Sequence, residues 1–149
     1  MTHDEEIVLR KRIVEEALSW IGTDYHDHVG LKGVGVDCAY LPLRVYQEVG
    51  IIPREYEPPM YYSQQWLKKE PDPTYWHELQ PYFREITEEQ VQPGDFILFK
   101  LGNSWTHGGI IISWPTYILH PLSGSGVVGS AAHEGFFLKR ERRFFTAVK

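Results

Sequence analysis

Three residues have the types and placements that nucleophilic chemistry needs. Cys38 is the only cysteine of the chain and lies in the stretch VGVDCAYLPLRVY, residues 34–46. It follows Asp37 and opens a run with helical periodicity. A cysteine attacks as thiolate, and a free thiol is mostly protonated at neutral pH. The unpaired N–H groups and dipole of a helix start favour negative charge there, so this position predicts a lowered thiol pKa. Those N–H groups, with that of Cys38 itself, are placed to form part of an oxyanion hole. Gly33 and Gly35 allow the backbone to come close to a substrate. Free cysteines are also common core fillers, so this segment alone leaves both readings open until a base is found.

Seven histidines are candidates for that base. His3 lies in a charged tail. His26 and His28 flank Asp27 in a loop; two ligands two residues apart without a third make a poor metal site. His77 and His133 sit in polar segments. His107 begins the apolar run GGIIIS after LGNSWT, and His120 ends TYILH. Residues at strand ends can face a cleft while the strands hold them rigidly. Either one alone reads as a hydrogen-bonded core or edge histidine. Taken with Cys38, the two supply a base and a group that orients it. One geometric difficulty follows from the spacing. If Trp114-Pro115-Thr116 is a tight turn, residue 120 pairs nearer to 110 than to 107. Contact between the rings then needs a bulge, or His107 lying outside the regular strand.

These residues must be carried by two kinds of element. Leu9, Ile13, Ala17 and Trp20 recur at helical spacing and predict a helix over residues 5–21, stopped at Gly22. A polar, glycine-rich loop follows. A second helix is expected from the N-cap residue Asp37 to Gly50, with Pro42 loosening its start. Residues 53–93 are rich in proline and aromatics and read as an irregular excursion, with one short helix at 63–70. The period then becomes that of strands: 95–100, 108–113, 116–120, 125–130 and 144–148. Helices first and antiparallel strands second give an α+β fold, read as a single domain over residues 1–149.

Composition narrows the function classes. A length of 149 residues with 42% apolar content supports one compact core. The net charge is −5 and no Lys/Arg-rich block occurs, which disfavours nucleic acid as partner. One cysteine excludes an intramolecular disulfide framework, and no CxxC spacing suggests zinc. The charged N-terminus, MTHDEEIVLRKRIVEE, reads as neither signal peptide nor membrane span, so the protein is expected to be made in a cytoplasm.

In this order the motifs resemble the NlpC/p60 cysteine peptidases, which have a papain-like core. DCAY (37–40), PGDFILF (93–99), HGGI (107–110) and ILHP (118–121) match the family's nucleophile, strand, base and third-residue motifs. SWIGTDY upstream is similar to the family's Trp-x-Gly-Thr-Pro-Tyr. The resemblance implies hydrolysis of peptide stems of bacterial peptidoglycan, commonly at the γ-D-glutamyl to diamino-acid bond. By position, Cys38 would be nucleophile, His107 general base and acid, and His120 the orienter of His107. Tyr25 would hydrogen-bond near the thiolate or substrate, with Asp37 as helix cap behind it. Ala39, Tyr40 and Gly108 are the remaining supporting candidates; no metal or other cofactor is required. GLKGVGVDCAYL, YYSQQW and GVVGSAA look most like the branch encoded with phage tails and gene transfer agents. This implies tail proteins as partners and delivery to the wall by a particle or at lysis.

Departures from the family pattern set the alternatives. Ser-Gly after the cysteine becomes Ala39-Tyr40, GTPY becomes GTDY, and Pro42 enters the helix. Tyr40 is large enough to narrow a cleft. A non-catalytic tail-tip module of the same fold is therefore one competing reading. Another is an amidase or acyltransferase on a different substrate, with Tyr61, Tyr62, Trp66 and Trp76 lining an apolar site.

Overall fold

A computed structural model describes residues 1–57 and 79–148. The first helix, α1 (His3–Leu18), is closed at its start by a reciprocal cap. Thr2 Oγ1 accepts the Glu5 N–H at 3.1 Å, and the Glu5 carboxylate accepts the Thr2 N–H at 3.3 Å. The helix thus begins two residues earlier than its apolar periodicity suggests. It also ends before Trp20, because the chain turns at Ser19, whose hydroxyl donates to the Glu16 carbonyl at 2.6 Å. Trp20 is buried all the same, from the turn rather than from the helix.

The second helix, α2 (Tyr40–Glu48), starts later than the expected residue 37. Pro42 explains the delay: it has no N–H to give to the Cys38 carbonyl, so the regular ladder begins only at Tyr40. Asp37 still does the capping. Its carboxylate accepts the N–H groups of Ala39 and Tyr40 at 3.0 and 2.9 Å, and its carbonyl accepts that of Leu41. The preceding loop contains a small antiparallel pair, β1 (Gly30–Leu31) with β2 (Gly35–Val36).

Six strands form one antiparallel sheet. They are β3 (Arg84–Ile86), β4 (Phe96–Leu101), β5 (Ser104–Ser113), β6 (Tyr117–Leu122), β7 (Gly126–Ser130) and β8 (Arg142–Thr146), in the order β3-β8-β4-β5-β6-β7. Each strand read from the sequence is present. The segment expected to be irregular contributes the edge strand β3, in which only Ile86 is buried. The short helix expected at 63–70 lies outside the described residues. The stretch LGNSWT is not a loop: Leu101 pairs with Ser104, leaving a two-residue turn at Gly102-Asn103 with Gly102 at φ 60°. His107 consequently sits inside β5 rather than at its beginning.

Both faces of the sheet are covered, which is why its central strands read as unbroken apolar runs. Phe96, Leu98, Ile110 and Leu119 face the helices together with Ile13, Ala17, Leu41 and Val45. Ile97, Phe99, Ile111 and Ile118 face the other way, under Phe137. Phe137 stacks on Phe99 with ring centroids 4.0 Å apart.

The helices are tied to the sheet at Pro93-Gly94-Asp95. Arg10 Nη1 on α1 donates to Asp95 Oδ1 at 2.7 Å and to the Pro93 carbonyl at 3.1 Å. Tyr46 on α2 donates its hydroxyl to the Gly94 carbonyl at 3.0 Å. The Asp95 side chain has no solvent exposure. Removing its cation strands a buried charge, which costs about 3–5 kcal/mol where an exposed pair costs about 1 or less. Arg10→Met is therefore expected to lower unfolding free energy by roughly that larger amount. Arg10→Met/Asp95→Leu should recover part of it. Chemical denaturation of the two variants checks this, and a loss in Arg10→Met no larger than for a surface pair would refute it.

Candidate active site

Cys38 sits on the turn between Asp37 and α2 and is 4% exposed. Its thiol lies 3.4 Å from the Thr106 carbonyl on β5. Two residues along the strand, Gly108 carries no side chain, and the Phe96 ring occupies that space. A Cβ on Gly108 would fall 2.6 Å from Phe96 Cζ and 3.6 Å from the Cys38 carbonyl oxygen. Cys38, Tyr25 and His107 line one cavity of about 190 Å³, walled by Leu101, Thr106, Pro121, Leu122, Ser123 and Phe136.

His107 and His120 meet. His107 Nε2 is 2.9 Å from His120 Nδ1, with the rings inclined at 78°. The sheet register explains how. β5 and β6 pair Ser113 with Tyr117 but Ile111 with Ile118, so Ile112 is an extra, bulged residue. Without it, residue 120 would stand opposite Ile110 and point at the helices. The bulge moves it one place, opposite Gly109, and so onto the face that carries His107. The two rings then touch diagonally across the strands. On the far side, His120 Nε2 lies 2.8 Å from Ser130 Oγ at the end of β7.

The histidines are enclosed by aromatic rings. Phe136 is 4.8 Å from His107, and Phe137 is 4.4 Å from His120, centroid to centroid. Burial disfavours the charged imidazolium. It pushes His107 down to about 3, with the charges of His120 and Arg140 acting the same way. His120 is pushed down to about 4 by burial.

The thiol departs from expectation. Burial pushes Cys38 up and the neighbouring Asp37 carboxylate adds to it, against a downward pull from the N–H groups of Cys38 and Gly108. The helix start does not lower this thiol, because its N–H groups are already used. Those of Ala39 and Tyr40 go to Asp37, as does that of His28 at 2.8 Å. Of the N–H groups expected to form an oxyanion hole, the one directed at the sulfur is that of Cys38. The Cys38 thiol and the His107 imidazole are thus both neutral at pH 7. Such a pair can act by transferring the thiol proton to the imidazole during attack.

The supporting candidates divide. Tyr25 is half-buried, lies within electrostatic range of Cys38 and hydrogen-bonds Asp27; burial pushes its phenol up, so it is a proton donor. The loop that carries it is fixed to β7 through Val127 N–H to the Thr23 carbonyl, 2.9 Å. Asp37 is fully buried beside Cys38. Tyr40 does not narrow the cavity: its ring lies under Gly30, with the Arg44 guanidinium 5.1 Å over it. His26 and His28 are exposed, and among the described residues no three His, Cys, Asp or Glu side chains gather as a metal-binding group. Sequence reasoning missed Ser130, Phe136 and Phe137. Ser130 ends a strand that was recognised; the Gly135-Phe136-Phe137 turn offers no periodic signal.

Comparison with known proteins identifies the family and the fold. The NlpC/P60 family pattern matches residues 19–146. The murein DD-endopeptidase MepS/murein LD-carboxypeptidase of Escherichia coli K12 is 26% identical over 132 residues. The match takes in 89% of this chain, which spans only 60% of that relative's length. Among solved structures, the NlpC/p60 domain of the peptidoglycan hydrolase SagA superposes with a TM-score of 0.63 at 19% identity, over 92% of this chain and 97% of that one. The peptidoglycan hydrolase RipB of Mycobacterium tuberculosis superposes at 0.65 and 15% identity, over 100% of this chain and 69% of that one. With its α+β architecture and most of its length matched, the chain belongs to the NlpC/P60 family.

Proposed function

We propose that this protein hydrolyses peptide bonds in the stems of bacterial peptidoglycan, with Cys38 as nucleophile, His107 as base and His120 as its orienter. The observation that carries the reading is the 2.9 Å contact of His107 Nε2 with His120 Nδ1. It engages Nε2, so Nδ1 is the ring nitrogen left to take a proton, and His107 lines the cavity that also holds Cys38. As Sγ bonds to the carbonyl carbon, the thiol proton passes to His107. The oxyanion lies against the Cys38 N–H. The same proton then goes to the leaving nitrogen, the C–N bond breaks and a thioester remains. Water attacks it, giving a proton to His107, and the thiol leaves with that proton restored.

The γ-D-glutamyl to diamino-acid bond is the first candidate substrate bond. The DD and LD bonds in the name of the E. coli relative are the second. Delivery by a phage tail or tail-like particle is supported by GLKGVGVDCAYL and GVVGSAA; YYSQQW lies outside the described residues. The cavity wall of Leu101, Pro121, Leu122 and Phe136 also suits an apolar acyl group, so an amidase or acyltransferase is the second reading.

Mass spectrometry of soluble products separates these. Purified peptidoglycan is expected to yield stem-peptide fragments with the wild type and none with Cys38→Ala, the masses naming the bond. Equal blanks from two folded proteins across several wall chemotypes, with turnover of an acyl ester instead, would move the assignment to the second reading.

The neutral site has a pH signature. A base whose pKa is depressed stays neutral above that value and is lost only as pH falls through it. The acid limb of kcat/KM is therefore expected well below 6.5, at about pH 3–4, where first His120 and then His107 takes up a proton. An ordinary histidine would lose about tenfold between pH 7.5 and 5.5. Iodoacetamide should alkylate Cys38 more slowly than free cysteine at pH 7, with a rate still climbing above pH 8.5. A fast rate, flat from pH 5 to 8, would show a preformed thiolate and contradict the neutral pair.

A further inference from the structure

His107, His120 and Ser130 form a diagonal row. β6 and β7 pair His120 with Val128 and Ile118 with Ser130. Ser130 is thus displaced from the place opposite His120 by two residues. His120 is displaced from the place opposite His107 by two residues in the same direction. Each strand contributes one polar side chain to a sheet face otherwise filled by Ile97, Phe99, Ile111 and Ile118.

The row has a direction set by proton bookkeeping. A neutral imidazole carries one N–H and one lone pair. For His107 to accept a thiol proton at Nδ1, its Nε2 must carry hydrogen and donate to His120 Nδ1. His120 must then carry its own hydrogen on Nε2 and donate it onward. Inside the Phe136–Phe137 enclosure, the partner within hydrogen-bonding distance of that nitrogen is Ser130 Oγ, at 2.8 Å. Ser130 is half-buried on β7, the outermost strand, so its own O–H can donate to solvent while a lone pair takes the histidine's hydrogen. The opposite tautomers would put hydrogen on His107 Nδ1 and leave it unable to act as base.

We propose that Ser130 is a positioning residue that fixes the tautomers of the His107–His120 pair and so keeps His107 Nδ1 free to accept a proton. Its importance for turnover rests on the peptidase reading; its effect on the tautomers does not.

The test uses the full chain with 15N-labelled histidine. The wild type is expected to show both rings as Nε2–H tautomers by NMR. Ser130→Ala should give mixed tautomers at His120, with kcat lowered roughly 10–100-fold, as for other outer partners of functional histidines. KM and melting temperature should stay unchanged, and Ser130→Thr should restore both tautomers and rate. Wild-type tautomers persisting in Ser130→Ala would overturn the proposal, as would an equal loss in the threonine variant. If the wild type releases no peptidoglycan fragments, the peptidase reading fails while the tautomer spectra still decide the role of Ser130.

Discussion

The site depends on how closely the start of α2 can lie against β5. At Gly108 there is no side chain, and none would fit: a Cβ there would overlap the Phe96 ring. The Phe96 ring takes that space, and the Cys38 turn lies next to it, with the sulfur against the Thr106 carbonyl beside the His107 strand position. Other ties hold the helices to the sheet from behind. The Arg10–Asp95 pair and the Tyr46 hydroxyl on Gly94 fasten α1 and α2 to the turn that opens β4. Loosening that end would let the helix start, and Cys38 with it, drift from β5.

Two fully buried aspartates solve the same problem differently. Asp95 is neutralised by a guanidinium, whereas Asp37 is held by main-chain N–H groups of His28, Ala39 and Tyr40. The second solution has a consequence for chemistry. It consumes the helix-start donors that would otherwise stabilise a thiolate, and it sets a carboxylate beside the sulfur. Capping and thiol ionisation compete for one set of N–H groups, and capping wins. The aromatic enclosure of His107 and His120 works in the same direction, keeping both rings neutral by disfavouring imidazolium.

Much of this was legible in the sequence because it is local. Asp37 before an apolar helical stripe reads as a cap, and the DFILF and GGIII runs read as strands. The three chemistry-bearing residues stood out by type. What the sequence hid is non-local. The meeting of His107 with His120 depends on one bulged residue, Ile112, and nothing in the run GGIIIS marks which of its residues will bulge. Ser130 depends on the next register along. The short turn carrying Phe136 and Phe137 has neither periodicity nor a motif. A helix start by itself favours a lowered thiol pKa; here the Asp37 carboxylate takes the donors, and that depends on the folded turn rather than on the residue types.

The substitutions that set this chain apart from the family pattern also find their place. Tyr40 replaces a glycine, yet its ring turns away from the cavity into the slot that Gly30 leaves open beneath β1. A larger residue at 40 is tolerated because a smaller one stands at 30. Pro42 removes the one N–H that would have drawn the Cys38 carbonyl into the helical ladder. Cys38 therefore stays on a turn, its own N–H directed at its sulfur, rather than becoming an interior helical residue. Both changes act on the helix side of Cys38. The cavity side, formed by Tyr25, His107 and Phe136, is built from other elements and is left intact by them.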